Sequence, residues 1–307
     1  MTVQPVTASR AVTASSPKSL KDWLTLTKPG ITLANLLAAS AGLWLGGEGP
    51  PHWTTAFWTL LGTALVVASG AALNNVVDVD IDGKMTRTRH RPLVNGRLHR
   101  QRALIVGLLL GVAGLVMLMV FIHWTAFCCA AVGLGMYAGL YSLWLKRKTA
   151  WSTVIGGVAG AMPPMVGYFA GSGGRLEWAG VLLFLTFLSW QPSHFYPLAL
   201  KRADEYRAAG IPMWPVVHGV PSTKRQTIGF CMLLAGFSVG LYQNGLHSAL
   251  YLFAAGSLGI GFLALAIQGV FTRNDVRWAH RMFTYSLLYM LALCAAMVAS
   301  ASTLHGI

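Results

Sequence analysis

Asn74, Asp78 and Asp82 recur at every fourth position, just after an apolar run that begins near Trp53. On an α-helix that spacing stacks three side chains on one face. Asp80 falls roughly 200° from Asp78, at about 100° per residue. Oxygen ligands four residues apart can share a hard cation such as Mg2+, which takes few protein carboxylates and keeps positions for substrate phosphates. Lys84, Arg87, Arg89 and Arg91 follow at once. Cations beside metal-binding carboxylates suit an anionic ligand such as a pyrophosphate. Charged residues at a helix end are commonly no more than a solvated rim. Here, however, the whole chain has nine acidic residues, and three of them fall between Asp78 and Asp82. An Asn and two Asp on one face at the end of an apolar helix are costly to bury without a use.

A second constellation runs from Trp190 to Tyr206 and includes His194, Lys201, Asp204 and Glu205. If it is helical, His194, Lys201 and Glu205 lie within a stripe roughly 40° wide, with Asp204 about 80° off it. Pro192 and Pro197 are expected to bend or break that helix. Broken helices at membrane depth are tolerated where they line a cavity. Between the two clusters stand Lys146 and Arg147. They read either as a clamp on a pyrophosphate or as a rim that orients the chain.

The elements that position these residues are membrane helices. The 307 residues are 55% hydrophobic and 10% charged, whereas a soluble domain carries about 25% charged residues. Apolar runs of the length a span needs, ~20 residues, predict nine spans, near 31–46, 53–77, 103–122, 125–145, 154–170, 178–200, 228–242, 249–270 and 282–302. Residues 1–22 read as a disordered tail and 23–307 as one transmembrane domain. Of the 23 Lys and Arg residues, only Arg175 falls outside the tail and the alternate loops on its side. That asymmetry places the N-terminus and those loops in the cytoplasm and, with an odd number of spans, the C-terminus outside. It also accounts for the net charge of +14 without nucleic acid, for which no motif is present. The excess faces membrane lipid headgroups instead. Cys128, Cys129, Cys231 and Cys294 all sit inside apolar runs, with neither zinc nor disulfide spacing. The 34 glycines suit close helix–helix contact in lipid.

These residues also carry a resemblance. Asn74-x-x-x-Asp78-x-x-x-Asp82 resembles the first motif of the intramembrane prenyltransferases of the UbiA superfamily. Thr27-Lys28-Pro29, Arg87-Thr88-Arg89-His90-Arg91-Pro92-Leu93 and Leu145-Lys146-Arg147-x-Thr149 are similar to other members as well. Trp190-Gln191-x-x-His194-Phe195 and the run Ala209 to Val217 resemble the branch whose acceptor is haem. Where the superfamily commonly has a second Asp-x-x-x-Asp, this chain reads Lys201-x-x-x-Glu205, which puts a lysine in place of a second metal ligand.

The resemblance implies an all-α fold of nine transmembrane helices around a central cavity whose polar mouth faces the cytoplasm. It implies Asn74, Asp78 and Asp82 as catalytic metal ligands for Mg2+. Lys28, Lys84, Arg87, Arg91, Lys146, Arg147 and Lys201 become pyrophosphate-binding, Asp204 and Glu205 a second acidic cluster, and His194 a haem contact or a packing support. The implied substrates are farnesyl diphosphate and haem B, with haem O and pyrophosphate as products. Haem A synthase or oxidase-assembly proteins are the candidate partners. The implied location is a bacterial plasma membrane, and the tail's composition is also compatible with a mitochondrial inner membrane. Two alternatives stand beside this reading: a relative in the superfamily with a quinone-precursor acceptor, and a secondary transporter. A topology reporter fused after Gly96 is expected on the cytoplasmic side and one after Ile307 on the opposite side; a cytoplasmic C-terminus would remove one span.

Overall fold

A computed structural model describes residues 20–47, 49–244 and 246–304, with the backbone alone over 302–304. The expected tail lies outside these residues except for its last three, which form the first turn of helix α1 (Leu20–Thr27). The expected position of Ile307 also lies outside them. The architecture is all-α, with no strand among the described residues.

Among the described residues, nine long helices follow. They are α2 (Pro29–Gly46), α3 (Trp53–Val77), α5 (Arg100–Phe121), α6 (Trp124–Leu134) with its continuation, α8 (Ser152–Gly171), α9 (Trp178–Lys201), α11 (Trp214–Gly240), α12 (Ala249–Phe271) and α13 (Asp275–Leu304). Helix α6 continues without a break into a π-helix, Gly135–Leu145, and a last turn, α7 (Lys146–Lys148). Two short helices, α4 (Val79–Asp82) and α10 (Ala203–Ala208), sit at the ends of α3 and α9.

Among the described residues, seven of the long helices are long and apolar enough to cross a membrane: all but α9 and α11. Those two have the length, but α9 carries Gln191, Ser193, His194 and Lys201, and α11 carries His218, Lys224, Arg225 and Gln226. The span expected over 228–242 is the second part of α11, which starts at Trp214 and kinks at Gly219, where φ is 75°. A glycine adopts that left-handed conformation without Cβ strain.

Of the expected bend or break at Pro192 and Pro197, a break is absent: α9 runs from Trp178 to Lys201 with both prolines inside it. Inside a bundle, neighbouring helices and small adjustments re-satisfy the backbone groups that a proline frees. The break comes instead at Arg202, where φ is −118°, and it separates α9 from α10.

Helix α2 packs against α3, α8, α9 and α13, and α8 against α2, α3, α6 and α9, so these two join the halves of the chain. Their contact is backbone to backbone. A Cβ at Gly42 would meet the Pro164 carbonyl, and one at Gly167 would meet the Ala39 carbonyl. In lipid, apolar side chains gain little by leaving their solvent, so close contact through small residues does the work of association. Substituting Gly167→Ala is expected to destabilise the protein by about 2 kcal/mol, read as a lower melting temperature in detergent. Gly30→Ala, where a Cβ meets nothing within 4 Å, should melt like the parent.

Candidate active site

Helix α3 ends at Val77 because Asp78 leaves helical geometry, with φ −88° and ψ 6°. The hydrogen-bond ladder nevertheless carries on. The Asp78 amide donates to the Asn74 carbonyl at 2.9 Å and the Asp82 amide to the Asp78 carbonyl at 2.8 Å. The three expected ligands therefore share one side across a bend rather than along one straight helix. All three are buried, with Asn74 4%, Asp78 1% and Asp82 2% exposed. Asp80 faces away, its side chain 59% exposed.

Cations from three separate segments close on this side. Lys28 Nζ donates to Asn74 Oδ1 at 2.8 Å. Asn74 Nδ2 donates to Asp78 Oδ2 at 2.8 Å, and Lys146 Nζ donates to the same oxygen at 2.6 Å. Arg91 pairs with Asp82 Oδ2. Arg147 grips Asp80 through both carboxylate oxygens, at 2.7 and 2.8 Å, and reaches the Val77 carbonyl at 3.1 Å. That fork holds the Asp80 carboxyl down to about 2. The pair's contribution is therefore full above the ordinary carboxylate range and is lost only as pH falls through about 2.

Lys28 itself sits in left-handed backbone geometry, with φ 50° and ψ 64°, at the residue before α2. A non-glycine held there marks a site where the surroundings outweigh local strain. Burial pushes its ammonium down to about 7, with Arg91 adding to the effect and Asp78 and Asp82 opposing it. The motif carboxylates are enclosed by their own cations. A cleft of about 10 Å3 remains beside Asp82 and Arg91, and a shallow depression of about 520 Å3 lies outside Lys28, along Lys21, Leu24 and Gly30.

Mg2+ fits these residues in a limited way. Asp78 Oδ1 is buried and accepts no hydrogen bond, which leaves one carboxylate oxygen for a cation. No group of three His, Cys, Asp or Glu able to hold a metal forms among the described residues. The donor set of Asp78, Asp82 and the Asn74 amide oxygen suits an ion that completes its shell with water and phosphate oxygens.

The structure disperses some of the expected residues. Lys84 is exposed and forms no ion pair with the motif carboxylates among the described residues. Lys201 Nζ lies 3.4 Å from His280 Nδ1 on α13. Asp204 is a solvated partner of Arg207, its side chain 97% exposed. Of the second acidic cluster only Glu205 faces the first motif's loop, where it accepts from Thr86 at 3.1 Å. The stripe expected to join His194 and Lys201 to Glu205 is cut because the chain turns at Arg202. His194 is 7% exposed and lies in the α9–α13 seam, stacked on Trp190 at 4.5 Å, with Phe283 4.7 Å away.

The same turn brings Arg202 and Tyr206, to which the sequence assigned no site role, near Arg87. Arg87 is exposed, and its guanidinium is lowered from the usual range by partial desolvation, then by the nearby Arg202, with Arg91 adding to that. Tyr206, raised mainly by burial, shares this cluster. Guanidinium groups gathered this closely favour an anion between them. Arg202 is one residue from Lys201, and no periodicity distinguishes it. Ser142 was also missed; it accepts from Asn74 Nδ2 at 2.9 Å.

Removing Lys146 leaves a buried carboxylate without its cation, which costs about 3 kcal/mol or more. Lys146→Met is therefore expected to lower the melting temperature of the ligand-free protein more than Arg147→Met, whose direct partner Asp80 is exposed and whose guanidinium reaches Asp78 only at 4.0 Å.

Comparison with known proteins places this geometry. The UbiA prenyltransferase family matches residues 35–300. A protein named protoheme IX farnesyltransferase from Alkalihalophilus pseudofirmus is 44% identical over 286 residues, covering 92% of this chain and 90% of its own length. A protein of that name from Listeria welshimeri is 41% identical over 290 residues, covering 93% and 95%. The solved structure of a digeranylgeranylglyceryl phosphate synthase superposes with a TM-score of 0.78 at 19% identity, over 92% of this chain and 99% of that one. A UbiA homologue from Archaeoglobus fulgidus bound to GPP and Mg2+ superposes with a TM-score of 0.65 at 16% identity, over 91% and 99%. The two structural likenesses speak for the fold, and the sequence matches, over nearly the whole length, make the chain a member of the UbiA prenyltransferase family.

Proposed function

We propose that this chain is a multi-pass membrane enzyme that transfers the farnesyl group of farnesyl diphosphate to haem B, giving haem O and pyrophosphate. The observation that carries the reading is the enclosed set of Asn74, Asp78 and Asp82 with Lys28, Arg91 and Lys146 around it. Relatives named protoheme IX farnesyltransferase support haem as the acceptor.

The physical logic is charge separation. The C1–O bond of an allylic diphosphate breaks, the diphosphate leaves as an anion, and the allylic cation adds to the terminal carbon of a haem vinyl group. Water then captures the resulting cation and loses a proton, which leaves the hydroxyl of the product. Bound Mg2+ would supply charge to the diphosphate oxygens, held by Asp78 and Asp82 with the Asn74 oxygen. Lys146 and Arg91 now pair with these carboxylates, and Lys28 with the Asn74 amide oxygen. With a diphosphate present they are placed to bind its oxygens, which stabilises the leaving group. Arg87 and Arg202 extend the same field, while Lys84 and Arg147 add charge at the rim. A carbocation needs a dry, apolar surrounding, and the helices beyond Asn74 provide one.

His194 is the candidate haem contact. The Ser286 hydroxyl donates to the Phe283 carbonyl at 2.6 Å, so at the 2.6 Å contact with His194 Nδ1 it accepts. The proton is then on Nδ1, and the neutral ring keeps the lone pair on Nε2, the form that ligates iron. Nine spans, a C-terminus outside, a bacterial plasma membrane and a haem A synthase as recipient of the product complete the reading.

Incubating the purified protein with haem B, farnesyl diphosphate and Mg2+ should yield haem O by mass spectrometry. Asp78→Ala should abolish it, and Asp80→Ala should reduce it less than about tenfold, since Asp80 lies off the buried face. If His194 touches iron, His194→Gln should lose the haem absorbance shift while farnesyl diphosphate binding stays near normal. Equal loss in the Asp78 and Asp80 variants would refute the assignment of the buried face.

A further inference from the structure

The helix that begins at Trp124 changes its winding at Gly135. From there to Leu145 it is a π-helix, a rare form that closes hydrogen bonds from i to i+5 and recurs at functional sites. Its last turns face the end of α3: Ser142 meets Asn74, Lys146 meets Asp78 and Arg147 meets Asp80.

Ser142 is 0% exposed. It carries no charge, and its use lies in the direction of its one proton. That proton goes to the Tyr137 carbonyl, five residues back, at 2.7 Å. Elsewhere Ser40, Thr63 and Thr186 bond the carbonyl four residues back, as serine and threonine do on an α-helix. With its proton committed, Ser142 Oγ can only accept, and it accepts from Asn74 Nδ2 at 2.9 Å. The other N–H of the same amide goes to Asp78 Oδ2. Both amide protons are then spent, and Asn74 Oδ1 must point to the remaining side, where Lys28 Nζ stands at 2.8 Å. An amide turned over would set its oxygen against the Asp78 carboxylate and its NH2 against an ammonium. Asn74 is the one expected cation ligand whose donor atom depends on which way a nearly symmetric group is turned.

We propose that Ser142, presented by the π-helix, is a positioning residue that holds the Asn74 amide with its oxygen toward the cation and the diphosphate. The inference rests on the diphosphate reading above. Without the hydroxyl, one buried N–H loses its acceptor, and the amide is held through Asp78 and Lys28 alone. Cation binding through its oxygen then weakens by the amount one hydrogen bond contributes.

The test is calorimetric titration of the full-length protein in detergent with farnesyl diphosphate, over a series of Mg2+ concentrations. Ser142→Ala should raise the Mg2+ concentration for half-maximal binding about fivefold to tenfold. Ser142→Thr, which keeps the hydroxyl, should restore the parent midpoint. In an Asn74→Ala background, Ser142→Ala should shift it less than about twofold, since the two act as one unit. A role in packing alone would lower the melting temperature of Ser142→Ala and leave the Mg2+ midpoint where it was, and that result overturns the proposal. So does a shift of equal size in the Asn74→Ala background. Failure of the parent protein to bind farnesyl diphosphate at any Mg2+ concentration would instead overturn the diphosphate reading, and this inference with it.

Discussion

Asp78 is a carboxylate with 1% of its surface exposed, and the structure around it follows from that burial. An ion taken out of water is held only by good geometry and a full set of partners. Lys146 reaches it from the end of the π-helix and Asn74 from the last turn of α3. Asn74 in turn needs Lys28 and Ser142. One buried charge thus ties the start of α2, the end of α3 and the end of the π-helix to a common point. Asp82 repeats the arrangement with Arg91 from the following loop. An array of acids and bases that would be weakly coupled on a solvated surface becomes a single unit.

The same unit explains why cations and acids occur together at one end of an otherwise apolar chain. Positive charge alone would suit an anionic ligand but would repel a metal. Carboxylates alone would hold the metal and repel a diphosphate. Interleaving the two gives a cluster that is neutralised internally. The surrounding bilayer sets the rest. Helices that gain nothing from hydrophobic association in lipid must approach closely, and Gly42 and Gly167 let α2 and α8 meet backbone to backbone. That contact, together with α3 packed on both helices, gives the charged end a fixed frame.

Much of this was legible in one dimension because a period is a local property. The apolar runs and the sidedness of lysine and arginine state the fold class. The four-residue spacing separates Asp78 and Asp82 from Asp80, and the burial of the first two and exposure of the third agree with it. The second constellation was read less well for the same reason. Its stripe assumed one continuous helix from His194 to Glu205, whereas the chain turns at Arg202. Past that turn, phase counted from His194 means nothing. Lys201 is carried to His280 and Asp204 to solvent, while Arg202 and Tyr206 join Arg87. The prolines left a bend and a break as alternatives, and the helix is unbroken, because the cost of a proline in a helix depends on neighbours that the sequence does not show.

What the sequence by itself determined is what depends on composition and spacing: a polytopic helical membrane protein, its charged side, and three oxygen-bearing side chains on one face. What only the tertiary structure decided is how those groups are connected. Which cation meets which carboxylate depends on contacts between residues as far apart as Lys28 and Asn74 or Asp78 and Lys146. The orientation of the Asn74 amide depends on a hydroxyl proton directed by the winding of another helix. Neither has a periodic trace along the chain, because hydrogen-bond direction is settled only when donors and acceptors from different segments are enclosed together and each must find a partner.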